Sequence, residues 1–202
     1  MNARGRPRSF DRDTALHAAI DVFWRQGYEA TSMTDLTQAM GIASASIYAC
    51  YGSKEQLFRE AVELYGSISG EPIRKALQEI PAVRDALAAM LRAAADNITG
   101  PGSPPGCMLV LGQPLGAIEN ADVRAFLATQ RRTQLDRIRD RLERGVADGE
   151  IPADADLDAI ARYFHTVVQG MSVQAIDGAG RADLEQVVVC ALAAWTALIP
   201  SA

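Results

Sequence analysis

The chain predicts an all-α fold, and three observations carry that expectation. Helix formers, alanine above all, dominate its 202 residues. Apolar residues recur at three- and four-residue spacing, and no segment alternates polar and apolar positions long enough for a strand. These periodic runs are punctuated by Gly and Pro, with Ser, Asp or Asn where helix N-caps belong. A hydrophobic content of 49% and a charged content of 22% suit a soluble globular protein. The length permits one medium domain or a small domain joined to a larger one.

Asp11 caps a first predicted helix over about Arg12 to Gln26, with Leu16, Ala19, Ile20, Phe23 and Trp24 as its stripe and Gly27 as its stop. A second runs from about Met33 to Met40, with Ser32 or Thr34 near its cap. Gly41 supplies a turn in which a left-handed backbone costs glycine little. Ile42 points inward, and Ser44 begins a third helix to about Cys50. Gly52 ends it, and Ser53-Lys54-Glu55-Gln56 has capping-box spacing for a fourth, continued by Leu57, Phe58, Ala61, Val62 and Tyr65. Gly66, Gly70 and Pro72 are expected to break or kink this run, so that Ser53 to Ser69 acts as a connector.

Beyond it, Val83, Leu87, Met90, Leu91 and Ile98 mark the next helix, and residues 100–106, GPGSPPG, form a loop. A short apolar helix is expected from Cys107 to Ile118. Asn120 then caps a long one through Val123, Phe126, Leu127, Leu135, Ile138, Leu142 and Val146, with its arginines facing solvent. The last two helices start near Asp156 and Arg181. Both are apolar over more of their circumference than one supporting face requires, so they are either central in the core or buried against another copy. The second choice is preferred, with Phe164, Val168, Met171, Val188, Leu192 and Trp195 at the interface of a homodimer.

Charge narrows the function. The formal net charge of -5 argues against general nucleic-acid affinity, yet Arg4, Arg6, Arg8 and Arg12 crowd the N-terminus. Any DNA surface must therefore be local. Three distant cysteines, Cys50, Cys107 and Cys190, fit a reducing compartment. The basic N-terminus lacks the apolar core of a secretory signal, and no stretch has the apolar length to span a bilayer. A soluble cytoplasmic protein is the expectation.

Residues 31–58 read as a helix-turn-helix running into a further capped helix. With Leu36, Ala39, Met40, Ile42 and Ile47 inward, Ser44, Ala45, Ser46, Tyr48 and Ala49 face a major groove. Small residues allow close approach, serine hydroxyls serve bases or phosphates, and the tyrosine tip suits a phosphate oxygen. Lys54 adds a cation beside free N–H groups at a helix start, and Thr31, Ser32 and Thr34 are candidates for similar contacts. The arm Arg4-Gly5-Arg6-Pro7-Arg8 either lies in an A·T-rich minor groove or is a basic tail that raises general affinity.

These residues carry a resemblance. The run from Phe10 to Tyr65 resembles the DNA-binding domain of TetR/AcrR-type transcriptional regulators. The matching order is Ala19 to Phe23, Gly27-Tyr28, Thr31-Ser32, Gly41-Ile42, Ile47-Tyr48, Gly52-Ser53-Lys54-Glu55 and Leu57-Phe58. Thr37 and Tyr51 depart from the family's common alanine and phenylalanine. The resemblance implies an arm at 1–8, a helix-turn-helix domain with connector at 9–69, and an effector-binding and dimerisation domain at 70–202. It implies a homodimeric regulator, a repressor on a near-palindromic double-stranded operator, released by a small-molecule effector. Tyr48 and Lys54 take the position of phosphate contacts, and Ser44 to Ser46 that of base readers.

For the effector, Met90, Cys107, Met108, Phe126, Phe164 and Met171 are candidate pocket residues, each equally a candidate for plain core. Cys107 follows a Pro-Pro-Gly break at a helix start, where the dipole favours a thiolate; it is a thiol or electrophile sensor or a small buried hydrophobe. Asp154, Asp156 and Asp158 lack the glycine and distal glutamate of a calcium loop, and His17 and His165 have no partners at ligand spacing. No nucleophile elbow or phosphate-cradling loop occurs. No cofactor, metal or enzymatic activity is expected. The rival classes are a helical small-molecule-binding protein or enzyme with a vestigial helix-turn-helix, and a non-specific nucleoid binder.

Overall fold

The computed structural model describes residues 10–112 and 120–199, and every regular element among them is helical. The helix α1 (Arg12–Ala30) is capped by Asp11, whose carboxylate accepts from the Thr14 N–H at 2.8 Å. Gly27 interrupts it at φ 75°, so the expected stop is a kink and three further residues continue beyond it. The helix α2 (Met33–Met40) opens on a complete capping box. Asp35 N–H donates to Ser32 Oγ at 3.1 Å, and Asp35 Oδ2 accepts from Ser32 N–H at 2.8 Å. Gly41 ends it at φ 66°. The helices α3 (Ser44–Tyr51) and α4 (Lys54–Ser69) follow, the latter capped by Ser53 accepting from Gln56 N–H.

The capping box responds to acid. Hydrogen bonds from Ser32 hold the Asp35 carboxyl below its ordinary range, so the stabilisation is complete above the ordinary aspartate pKa of about 3.9 and is lost as pH falls through the lower folded value. Ser32→Ala is expected to cost about 1 kcal/mol at neutral pH and to flatten that acid loss. Thermal melts of both proteins between pH 7 and pH 3 check it; parallel acid limbs would refute the assignment.

Gly66 does not break α4: the helix passes through it to Ser69, since one glycine inside a helix costs only about 1 kcal/mol. The bend comes at Gly70, where a Cβ would sit 2.3 Å from the Gly66 carbonyl oxygen. There α5 (Glu71–Glu79) starts with Pro72 in its first turn. This helix is missing from the sequence expectation. Proline in a first turn marks a start as readily as a break, and Ile73, Ala76 and Leu77 give it one apolar face.

Against α5 packs α6 (Val83–Thr99). After a loop, α7 (Met108–Leu111) forms a single turn, shorter than expected within the described residues. The long α8 (Ala121–Ala147) pairs with α9 (Leu157–Ile176), and α10 (Arg181–Ala193) lies against α6 and α9 before the short α11 (Trp195–Leu198).

Two cores result. One is built from α1 to α4 and reaches Met108, Leu109, Val123 and Leu127; the other joins α5, α6, α8, α9 and α10. Cys107 packs against both. Across the junction, Trp24 Nε1 donates to the Gly106 carbonyl at 3.1 Å. Arg59 lies 4.7 Å over the Phe126 ring and donates to the Asp122 carbonyl. The small helical head is thereby bonded to the larger body.

The arginines of α8 do not all face solvent. Arg141 is 1% exposed and donates to the carbonyls of Ile80 and Pro81, with Glu150 3.8 Å away. Four of the six residues expected at a dimer interface need correction. Phe164, Met171, Val188 and Leu192 lie inside the protomer's own core, while Val168 and Trp195 are half-buried against it. A helix apolar all round gives no sign of which side meets its own fold. Here α9 and α10 turn Val173, Ile176, Val187 and Val189 outward instead.

Candidate functional site

The turn between α2 and α3 presents α3 at the edge of the head. Ile47, Leu36 and Met40 are buried and Ile42 is half-buried against them, as expected, and Tyr51 joins them. Ala39 differs: it is exposed. Of the outward set, Ala45, Tyr48 and Ala49 are exposed, and Ser44 and Ser46 are half-exposed. Tyr48 keeps 47% of its surface open, much for so large a side chain. No side chain caps the start of α3, where Ala43 is the N-cap. The Ser46 N–H closes onto the Ala43 carbonyl at 2.9 Å, and the Ser44 and Ala45 N–H groups are left without a side-chain cap beside two half-exposed serines.

Lys54 is held rather than free. Its ammonium sits 4.6 Å from the Tyr28 ring centroid, and Tyr28 in turn packs on Phe23 and Phe58. Burial pulls its pKa below the ordinary lysine value, while Asp35 and Glu29 oppose that shift. The cation is thus fixed at the start of α4, close to the uncapped start of α3 in sequence. Thr34 is exposed, and Ser32 is exposed with its hydroxyl engaged by Asp35. Thr31 does not fit the expected contact. It is 1% exposed and its hydroxyl donates to the Gly27 carbonyl at 2.6 Å, closing the end of α1. Arg4, Arg6 and Arg8 lie outside the described residues.

Tyr51, a departure from the family pattern, has a use for its extra oxygen. Its hydroxyl donates to the Arg12 carbonyl at 3.1 Å, and the Arg12 guanidinium covers its ring at 4.7 Å while pairing with Glu60. The tyrosine therefore ties α3 to the first turn of α1.

Behind the head, a cavity of about 290 Å³ opens between α4, α5, α6, α8 and α9. Met90 and Cys107 line it. Met108, Phe126, Phe164 and Met171 do not: Met108 fills the head core, Phe126 lies under Arg59, and Phe164 and Met171 fill the body core. The polar lining that sequence reading missed includes Tyr65, Asn97, Gln134, His165 and Gln169. Spread over four helices, with only His165 and Gln169 sharing one, these residues leave little local pattern. Cys107 precedes only a four-residue helix, and burial pushes its thiol pKa up, opposed by the Tyr65 hydroxyl and nearby backbone N–H groups. Of the two readings of Cys107 this favours the small buried hydrophobe, because desolvation outweighs a single turn's dipole.

Two helices joined at a left-handed glycine, the second offering its uncapped start and one small-residue face, form a helix-turn-helix head on an all-helical body. Residues 15–61 match the family described as bacterial regulatory proteins, tetR family, and residues 83–182 match the tetracyclin repressor-like C-terminal domain. Over 198 residues the chain is 33% identical to the HTH-type transcriptional repressor ComR of Escherichia coli (strain K12), covering 98% of this chain and 94% of that protein. Its structure superposes, with a TM-score of 0.92 and 44% identity, on a cysteine mutant of the TetR family transcriptional regulator CifR complexed with 26-bp double-strand operator DNA. That match covers 95% of this chain and 100% of the other. AibR, solved with isovaleryl coenzyme A and operator DNA, shares the fold at 20% identity, with a TM-score of 0.69 over 94% of this chain and 98% of the other. The chain belongs to the TetR family and is a DNA-binding transcriptional regulator. Among the described residues no helix is long and apolar enough to cross a membrane.

Proposed function

We propose that the chain is a repressor that occupies a near-palindromic operator as a homodimer and leaves it when a small molecule enters the cavity behind α4. The observation that carries this reading is positional. The open edge of α3 and the cavity are joined by one continuous helix, α4, which starts beside the recognition edge and ends in the cavity lining. A ligand that favours one orientation of α4 thereby changes the separation of two paired heads. In the proposed division, residues 9–69 form the head with its connector and 70–202 the sensing and dimerisation part. The outward apolar residues Val173, Ile176, Val187 and Val189 support pairing through α9 and α10.

In this reading Ser44, Ala45 and Ser46 meet base edges, and Tyr48, Lys54 and Thr34 meet phosphates. Gel-shift titration on the DNA flanking the chain's own gene tests it, with binding expected to be site-specific and salt-sensitive. Indifference between that DNA and random duplex would remove it. Lys54→Ala is expected to weaken binding about equally on all sequences and to lower the salt slope by about one. An unchanged slope would show that Lys54 serves only the packing on Tyr28.

A second reading keeps one observation in its favour: Cys107 lines the cavity, so an electrophile admitted there reaches the sulfur. Burial raises its pKa, which slows the thiol toward free reagents and favours one held in the cavity. Cys107→Ser is expected to abolish release of DNA by such a reagent; release that persists would exclude the thiol as sensor.

A further inference from the structure

The cavity behind α4 has a chemistry more specific than its position. Its walls are apolar: Ile73, Leu77, Met90, Ile98, Ile138 and Val168. Its charged lining residues, Glu63 and Arg137, are both exposed, and no buried side chain of the lining carries a charge partner for an ionised guest. The inner polar groups are neutral amides, hydroxyls, a thiol and an imidazole. Burial and then Arg131 lower the His165 pKa, while burial raises that of the Tyr65 phenol and the Cys107 thiol. All three are therefore kept uncharged near neutral pH. An ammonium buried here would lose its hydration without compensation, and an anion would meet only Arg131, which acts on His165 and Cys107 from behind the lining with its Nη1 already bonded to the Leu109 carbonyl.

One donor in the lining is poorly used. The Tyr65 hydroxyl, on a side chain 5% exposed, gives its proton to Cys107 Sγ at 3.5 Å, while its oxygen accepts from the Ser69 hydroxyl and the Met108 backbone. Thioether and thiol sulfur are weak acceptors, and a carbonyl or hydroxyl oxygen competes for the same proton with advantage. The Tyr65 ring packs edge-on against Trp24 with centroids 4.8 Å apart, so what happens at its hydroxyl bears on the head.

We propose that this chamber takes an uncharged, predominantly apolar small molecule carrying an oxygen acceptor, such as a ketone or ester, seated with that oxygen on the Tyr65 hydroxyl in place of the Cys107 sulfur. The proposal rests on the reading of the cavity as the effector site. At about 290 Å³ the space lies at the small end of ligand pockets, which sets the guest's size.

Calorimetric titration of the full chain with 2-octanone, octanoate and octylammonium at pH 8 tests the class. The ketone is expected to bind, and both ions at least about tenfold more weakly. Tyr65→Phe, which keeps the ring on Trp24, is expected to weaken the ketone about five- to tenfold. Gly66→Leu, at a lining position where a Cβ meets nothing within 4 Å, is expected to abolish ketone binding without lowering the melting temperature. Failure of the ketone to bind, an ion binding as tightly, an unchanged ketone affinity in Tyr65→Phe, or ketone binding that survives Gly66→Leu would each overturn the proposal. Gel shifts run in parallel separate the two readings. A ketone that binds as predicted but leaves operator binding unaltered removes the effector role and leaves the ligand class standing.

Discussion

Arg141→Ala is expected to destabilise the protein by about 3–5 kcal/mol, while Arg141→Met costs less than half as much. The guanidinium is buried between α8 and the turn that joins α5 to α6, where it bonds the Ile80 and Pro81 carbonyls and faces Glu150. Its Nε and Nη1 have no hydrogen-bond partner among the described residues. Burial lowers its pKa, Arg144 adds to the shift, and Glu150 and Asp148 oppose it. Alanine removes the carbonyl contacts, leaves a void the length of the arginine stem and frees the turn. Methionine refills most of that void and carries no charge to desolvate, so it isolates the polar contribution. For a chain of this size, the alanine variant should melt roughly 10 °C lower. Equal losses for both variants would show that the charge matters and the packing does not. A loss under about 1 kcal/mol for alanine would remove the staple role altogether.

Gly106→Ala is expected to cost about 2–4 kcal/mol and to disturb the bond between head and body. Gly106 has φ +82°, and a Cβ there would lie 2.6 Å from Leu111 Cδ1, 2.9 Å from the Ser172 carbonyl oxygen and 3.2 Å from Ile176 Cγ1. The leucine tip can swing aside; the carbonyl on α9 cannot. The same residue accepts from Trp24 Nε1 and donates its N–H to the Ile98 carbonyl at 3.0 Å. Any backbone shift that relieves the clash therefore pulls on α1 and α6 together. Gly102→Ala is the control, because Gly102 shares φ +82° but nothing lies within 4 Å of its Cβ. It should lose only the backbone preference, about 1 kcal/mol. Chemical denaturation of the two variants compares them, and similar losses would rule out the clash. A gel shift on Gly106→Ala then reports whether the Trp24 link is needed for operator binding.

The helix-turn-helix was legible because its determinants are local. Asp11, Ser32 and Ser53 each accept from an N–H three residues on, and Gly41 turns the chain at a left-handed φ. Such bonds are visible in a window of five residues. Thr31 misled for a related reason: it stands beside the cap but spends its hydroxyl four residues back, on the carbonyl freed by the Gly27 kink. Tyr51 stood out only as a departure from the family's common phenylalanine, since its partner Arg12 lies 39 residues away.

The body was legible only in outline. Its helices follow from periodicity, apart from α5, whose Pro72 reads as a breaker until its place in a first turn is known. Which side of α9 and α10 meets the core, and which arginine of α8 is buried, depend on neighbours far along the chain.

From the amino-acid order alone came the helical class, the caps and turns of the head, and the small-residue face of α3, because each depends on near neighbours and on helical period. Tertiary structure alone decided that Arg141 lies inside, that Phe164 and Met171 fill core rather than pocket, and that Tyr65, Cys107 and His165 share one chamber. Burial and enclosed space belong to no single segment. They arise where residues from several helices meet, and only there are an arginine's desolvation, a thiol's proton and a ligand's charge determined.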